Sequence, residues 1–269
     1  MATEHTPTVL AIGGFDPYGG AGTLIDTKTI HALGGYALSA ITAITAQNSQ
    51  GVAAVETVSA SLLRTQLSVL LNDIRVDAVK IGMLGDASLV HVVADIIKQY
   101  ELPNVVLDPV LVSSSGRRLL EPEAVEVMVH RLFPLCRLIT PNLHETNTLL
   151  GTVYRGEMKD VLAMANGLFE MGANAVLLKG GHSIEEEAVD CLVDPSGMHS
   201  ISTPRVGTIH THGTGCLLSS AIATHLAQGI SLKSSVEGAK NFLYDRLGHA
   251  DTLSLNYREK NVPRSEAIF

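Results

Sequence analysis

The feature that most constrains this chain is an alternation of two patterns. Short apolar runs rich in β-branched residues recur at TVLAIGG (8–14), ALSAITAITA (37–46), DAVKIGM (77–83), NVVLDPV (104–110), RLITPN (137–142) and NAVLLKGG (174–181). They are apolar at successive positions, as strands covered on both faces must be. Between them lie helical patterns at 22–33, 59–72, 86–99, 121–132 and 158–171. This order predicts an α/β fold with a doubly wound, mostly parallel central sheet flanked by helices. Residues 188–209 break the rhythm and predict a hairpin or meander turning at PSG. Two helices are expected after it, at 214–228 and 233–248. With 269 residues and no linker or repeat, one domain over 1–269 is expected, ending in a polar tail from about 251.

Composition removes several function classes. Hydrophobic residues make up 46% of the chain, enough for a large core, and the net charge is −8. With no basic run, no Trp and 4% aromatic residues, nucleic-acid binding has no support. An anionic small molecule must then be held by local backbone donors and a few lysines. The three cysteines, Cys136, Cys191 and Cys216, are far apart and form neither a disulfide framework nor a C-x-x-C zinc pattern. His210 and His212 alternate, but a metal site needs more ligands than two. No window reaches the roughly 18 apolar residues of a membrane span, and the first residues lack the basic start of a signal peptide. A soluble cytoplasmic protein is expected.

Several of the apolar runs end in polar or glycine clusters: GGFDPYGGAG, TAQN, GML, DPV, TPN and KGG. In open α/β sheets ligands bind at the carboxyl ends of strands, so these clusters are expected to share one site. The stretch HTHGTGCLLSSAIATHLAQG (210–229) runs a glycine turn into a helix, and free amides plus the helix dipole favour an anion there. Cys216 in the first turn feels the same field, which lowers thiol pKa values to roughly 3.5–7.5 at such positions. It reads as a base or nucleophile, or else as a small buried cysteine.

Asp16 and Asp26, in GGFDPYGGAGTLIDTKTI, offer carboxylates to a ligand hydroxyl or amine; Asp26 reads equally as part of a solvated helix face. The glycine spacing there fits neither dinucleotide nor Walker loops. Asp108 closes the strand of LDPV. Glu145 follows Asn142 by three residues, so it reads as a Mg²⁺ ligand or as the partner of Asn142 in a capping box. Lys179 ends an apolar strand, where its charge requires either a phosphate or a carboxylate partner.

GGFDPYGGAGTLIDTKTIHALGGY, AITAQNSQGV, KIGMLGD, VVLDPVLV, ITPNLHETNTLLG, VLLKGGH and THGTGCLLSSAIA follow one another in this order. The series resembles the hydroxymethylpyrimidine/phosphomethylpyrimidine kinases of thiamine biosynthesis, in the ribokinase-like superfamily, over residues 8 to 250 or so. The resemblance implies a ribokinase-like three-layer sandwich, often a homodimer. It implies ATP-dependent phosphorylation of 4-amino-5-hydroxymethyl-2-methylpyrimidine, and then of its monophosphate to the diphosphate. By motif, Asp26, Gln47, Met83 and Gly14 resemble the pyrimidine-binding residues. Asp108 and Glu145 resemble the Mg²⁺ ligands. Lys179, Asn142 and Thr211 resemble the ATP and phosphate contacts. Gly213, Thr214 and Gly215 resemble the anion hole, with Cys216 as the catalytic base.

The chain departs from the family pattern at Phe15 and Tyr18, where small polar residues are usual. It also departs at Ser114 in place of a lysine, at His210 before Thr211, and at Leu217 after the cysteine. These changes put the second phosphorylation in question. They leave two alternatives: a pyridoxal/pyridoxine kinase of the same superfamily, and a non-catalytic pyrimidine-binding sensor.

Overall fold

The computed structural model describes residues 5–113, 116, 118–180, 187–208, 211–250 and 255. Ser114, His210, His182 and the expected polar tail from about 251, apart from Leu255, lie outside the described residues.

The strands are β1 (Thr8–Phe15), β2 (Tyr36–Asn48), β3 (Gly51–Thr57), β4 (Ala78–Ile81), β5 (Val105–Leu107), β6 (Leu138–Ile139), β7 (Val176–Leu178), β8 (Glu187–Asp194) and β9 (Gly197–Pro204). They form one sheet in the order β3-β2-β1-β4-β5-β6-β7-β8-β9. The six strands from β2 to β7 in that order are parallel to their neighbours. The three outer pairings, β2 with β3, β7 with β8 and β8 with β9, are antiparallel.

The helices are α1 (Gly22–Ala32), α2 (Ala60–Asp73), α3 (Ala87–Gln99), α4 (Pro122–Arg131), α5 (Leu143–Leu150), α6 (Val161–Glu170), α7 (Thr214–Ala227) and α8 (Leu232–Gly248). They cover the sheet from both sides, and strand periodicity divides the core accordingly. In β1, Leu10 and Ile12 join the cluster under α2, α3, α4 and α6, whereas Val9 and Ala11 join the one under α1, α7 and α8. Successive apolar residues are therefore all buried, which explains the unbroken runs in the sequence. The result is a three-layer sandwich, as expected.

Two differences from the expected elements have physical causes. Residues 51–57 form β3, which the apolar pattern does not announce, because this strand lies at the sheet edge and is mostly exposed. The runs at 104–110 and 137–142 are strand for only three and two residues. The residues after them, 108–110 and 140–142, form loops at the carboxyl edge. The hairpin of β8 and β9 turns at PSG as expected, with Asp194 Oδ1 accepting from the Ser196 amide at 2.8 Å.

From β1 the chain first builds β2 and β3 on one side, then crosses back to β4 on the other. That reversal opens a crevice at the carboxyl ends of β1 and β4, where ligands bind in sheets of this kind.

Candidate active site

A cavity of about 720 Å³ lies over this crevice. One end takes lining from Gly14, Phe15, Gln47 and Met83. The other reaches Pro204, Val206, Thr208, Tyr244 and Leu247, between β9 and α8. Asp108, Asn142, Glu145, Lys179, Thr211 and the turn Gly213–Cys216 line it as well. The strand-end clusters of the sequence do converge, with one exception described below.

Asp108 follows β5 and is 2% exposed. Its Oδ1 accepts from Lys179 Nζ at 2.7 Å and from Thr140 Oγ1 at 3.1 Å. Burial works against the charge on Lys179, but Asp108 and Glu145 outweigh it and hold its pKa above the ordinary lysine value. Glu145 sits at the third position of α5 and forms a capping box. Its Oε2 accepts from the Asn142 amide at 2.8 Å, and its own amide donates to Asn142 Oδ1 at 2.9 Å. Glu145 thus forms the capping box and also lines the cavity. Burial, with Asp108 adding repulsion, pushes its carboxyl up to about 7.

A magnesium ion fits this pair in one respect: a cation would discharge the repulsion that raises Glu145. Two carboxylates do not enclose an ion by themselves, and no group of three acidic, His or Cys residues is suited to a metal among the described residues. Phosphate oxygens and water would have to complete the shell, as Mg²⁺ commonly requires.

Gly213 caps α7 with φ +83°. A Cβ there would lie 1.7 Å from the carbonyl oxygen of Gly20, so both conformation and space demand glycine. The turn thereby packs against the loop after β1 and presents the first amides of α7, which a helix leaves without intrahelical partners. A Cβ on Gly215 would lie 3.3 Å from Asp108 Oδ2 and 3.4 Å from Lys179 Nζ, which places this turn directly on the acid–lysine pair.

Cys216 lines the cavity, but its expected thiolate character is not found. Burial pushes the thiol up to about 11; Lys80 pulls it down, while Asp26 and Asp108 raise it further. Desolvation outweighs the two influences that lower it, Lys80 and the backbone of Gly22.

Asp26 is the exception to the convergence. It is fully buried and does not line the cavity. Lys80 Nζ donates to both of its oxygens at 2.8 Å, and Ser220 Oγ donates to Oδ1 at 2.7 Å. A carboxylate so enclosed has no access to a ligand, which corrects its assignment to the pyrimidine. The carboxylate at the end lined by Gly14, Phe15 and Gln47 is Asp16. Its Oδ1 accepts from the Tyr18 amide and its Oδ2 from the Ala21 amide, both at 2.9 Å. Burial works to raise Asp16, but His212 and those amides outweigh it and hold the carboxyl below its ordinary value.

His212 is a residue the sequence reading passed over as half of an incomplete metal pair. Its Nε2 lies 3.2 Å from Asp16 Oδ2 and 3.0 Å from Gln47 Nε2. Protonated, that nitrogen donates to Asp16; unprotonated, it accepts from Gln47. The available signal was its place immediately before Gly213. Met83 faces Gly14 closely, since a Cβ on Gly14 would lie 3.3 Å from Met83 Sδ. Of the departures, Phe15 lines the cavity beside Gly14, the Tyr18 ring lies 6.5 Å from that of His212, and Leu217 is buried in the core under α1, α7 and α8.

The protein family described as phosphomethylpyrimidine kinase matches residues 16–262. The chain belongs to the phosphomethylpyrimidine kinase family. It is 41% identical to the hydroxymethylpyrimidine/phosphomethylpyrimidine kinase of Escherichia coli (strain K12), over 92% of this chain and 93% of that one. The crystal structure of phosphomethylpyrimidine kinase from Clostridium difficile 630 superposes with a TM-score of 0.78 at 36% identity, over 88% of this chain and 98% of that one. Bacillus subtilis pyridoxal kinase, solved as an ADP complex, gives 0.82 at 32% identity, over 90% and 92%. The fold is therefore ribokinase-like and the chain is a kinase, as the family resemblance implied. Among the described residues, no helix is long and apolar enough to cross a membrane.

Proposed function

We propose that this kinase transfers the γ-phosphoryl group of ATP to 4-amino-5-hydroxymethyl-2-methylpyrimidine and then to the monophosphate, supplying the pyrimidine half of thiamine. The observation that carries the reading is the Lys179–Asp108 pair, 2.7 Å apart, lying against the Gly213–Cys216 turn in a cavity with a distinct lobe on each side. At the ring lobe, the Gln47 amide offers both a donor and an acceptor, which suits a ring nitrogen beside an amine. The ring lies against Gly14 and Met83, which line the same end of the cavity, and displaces His212 from Gln47. The lobe between β9 and α8 takes the nucleotide.

Phosphoryl transfer needs mainly positioning and charge stabilisation. Lys179 and the amides of Gly213–Cys216 hold the transferring group. Asn142 and Thr211 border the path of the phosphates. Asp108 and Glu145 would hold Mg²⁺, which when bound would supply positive charge to the phosphates. Cys216, which lines the cavity beside the turn, acts as proton acceptor, and substrate binding must lower its thiol before it can do so. The chain works as one domain in the cytoplasm, as a homodimer through the exposed edge formed by β2 and β3, where Tyr36 and Ile44 are more than half exposed. A monomer mass in light scattering would overturn the dimer.

The competing alcohol is pyridoxal, favoured by the aromatic Phe15 at the ring lobe. An assay with ATP and Mg²⁺ on hydroxymethylpyrimidine, its monophosphate and pyridoxal in parallel separates the readings. Mono- and diphosphate of the pyrimidine are the expected products. Monophosphate alone removes the second step, and turnover of pyridoxal alone replaces the substrate assignment. Absence of turnover on all three would leave a pyrimidine-binding sensor.

A further inference from the structure

The KIGM segment contributes a lysine that the proposed reaction does not use. Lys80 lies on β4, a central strand, and is 1% exposed. It pairs with Asp26 of α1, itself fully buried, and Asp26 is tied by Ser220 to α7. A buried ion pair is poor evidence of stability, because apolar residues of similar size often serve as well or better. Its presence at this place asks for another reason.

The place supplies one. Ser220 stands four residues after Cys216, on the same face of α7 and one turn below the anion turn. Lys80 lines the floor of the cavity, and a Cβ on Gly82 would lie 2.9 Å from its Nζ. Lys80, Asp26 and Ser220 therefore link the central strand, α1 and the first turns of α7 directly beneath the residues that surround the reacting atoms. The clearance above is small: one methyl group on Gly215 would stand 3.3 Å from Asp108 Oδ2. A shift of α7 by a fraction of an ångström along the sheet would be felt there at once.

We infer that Lys80, Asp26 and Ser220 form a buried strut that sets the position of the Gly213–Cys216 turn against Asp108 and Lys179. They are positioning residues, with no contact to substrate required. The inference rests on the reading of that turn as the holder of the transferring phosphoryl group.

Two variants test it. Ser220→Ala cuts the tie to α7 and leaves the ion pair in place. The double variant Lys80→Met/Asp26→Leu removes both charges together and keeps the volume apolar. The expected result for each is a melting temperature close to the parent's, with kcat lower by roughly tenfold or more, since misplacement of about 1 Å can cost on the order of a hundredfold. KM for both substrates should stay within about threefold, because loss confined to kcat marks an interaction realised in the transition state. A merely structural strut would lower the melting temperature and leave kcat per folded molecule unchanged, and that result overturns the inference. So does a rise in KM with kcat retained. Should the double variant fail to fold, Ser220→Ala alone decides. Gly215→Ala, assayed alongside, separates the two levels. If it keeps full turnover, the reading of the turn fails and the inference falls with it. If it loses turnover while the strut variants keep theirs, only the inference fails.

Discussion

Cys216 illustrates how one side chain answers to several fields at once. Its place in the first turn of α7 favours a thiolate. Burial, Asp26 and Asp108 favour the thiol, and they win, with the pKa pushed up to about 11. The sign has a direct consequence for the free protein. Alkylation of Cys216 by iodoacetamide, read peptide by peptide in a mass spectrometer, should rise about tenfold per pH unit and still be rising at about pH 10, because only the thiolate reacts. A plateau reached below pH 8 would mean that the turn overrides burial. Asp26 is the complementary case at this scale. A carboxylate in a glycine-rich stretch next to the site suits a ligand by type and spacing, yet Lys80 and Ser220 already take its oxygens. Residue type narrows what a position can do, and the neighbours decide whether it is free to do it.

At the scale of elements, a second buried ion pair holds the other side of the site. Lys240 of α8 donates to Asp190 Oδ2 at 2.8 Å, and Asp190 Oδ1 accepts from the Gly180 amide at 2.9 Å. Gly180 is the residue after Lys179, so β8 and α8 together fix the backbone that carries the lysine paired with Asp108. Asp190→Asn should destabilise the protein by about 3–5 kcal/mol, because it leaves the Lys240 ammonium buried without its counter-charge. Adding Lys240→Met should recover most of that loss. Denaturant unfolding of the single and double variants measures both, and equal stability of the single variant and the parent would show that the pair is dispensable. α5 works by a different device: its capping box sets the helix start and, through the same Glu145 side chain, fixes a carboxylate at the cavity wall.

The same Glu145 has a consequence for the molecule as a whole. Its carboxyl titrates near 4.5 when unfolded and is pushed up to about 7 when folded. The folded state therefore binds more protons between those values. Its contribution to stability is complete below pH 4.5 and is lost as the pH rises through 7. The loss amounts to about 3 kcal/mol at most, at 1.36 kcal/mol for each unit of pKa difference. In metal-free buffer, the stability of the parent relative to Glu145→Gln should fall across that window and level off above it. Denaturant unfolding at several pH values follows the difference, and a gap independent of pH would remove the assignment.

Much of this protein was determined by sequence alone, for reasons of periodicity and local chemistry. Strands buried on both faces must be apolar at every position, so the central sheet and its layers were legible from the runs at 8–14 and 77–83. Asn142 with Glu145, and Gly213 before a helix, are local signals whose geometry follows from three or four residues. The ordered motifs identified the family. What only the tertiary structure decided is which polar groups face the cavity. Asp26 and Asp16 belong to the same stretch, and nothing local tells that Lys80, 54 residues away, encloses the one while His212, 196 residues away, meets the other. The edge strand β3 was hidden because an exposed strand needs no apolar pattern. That burial raises the Cys216 thiol was hidden as well, because desolvation depends on everything packed around a group and a sequence carries no distances.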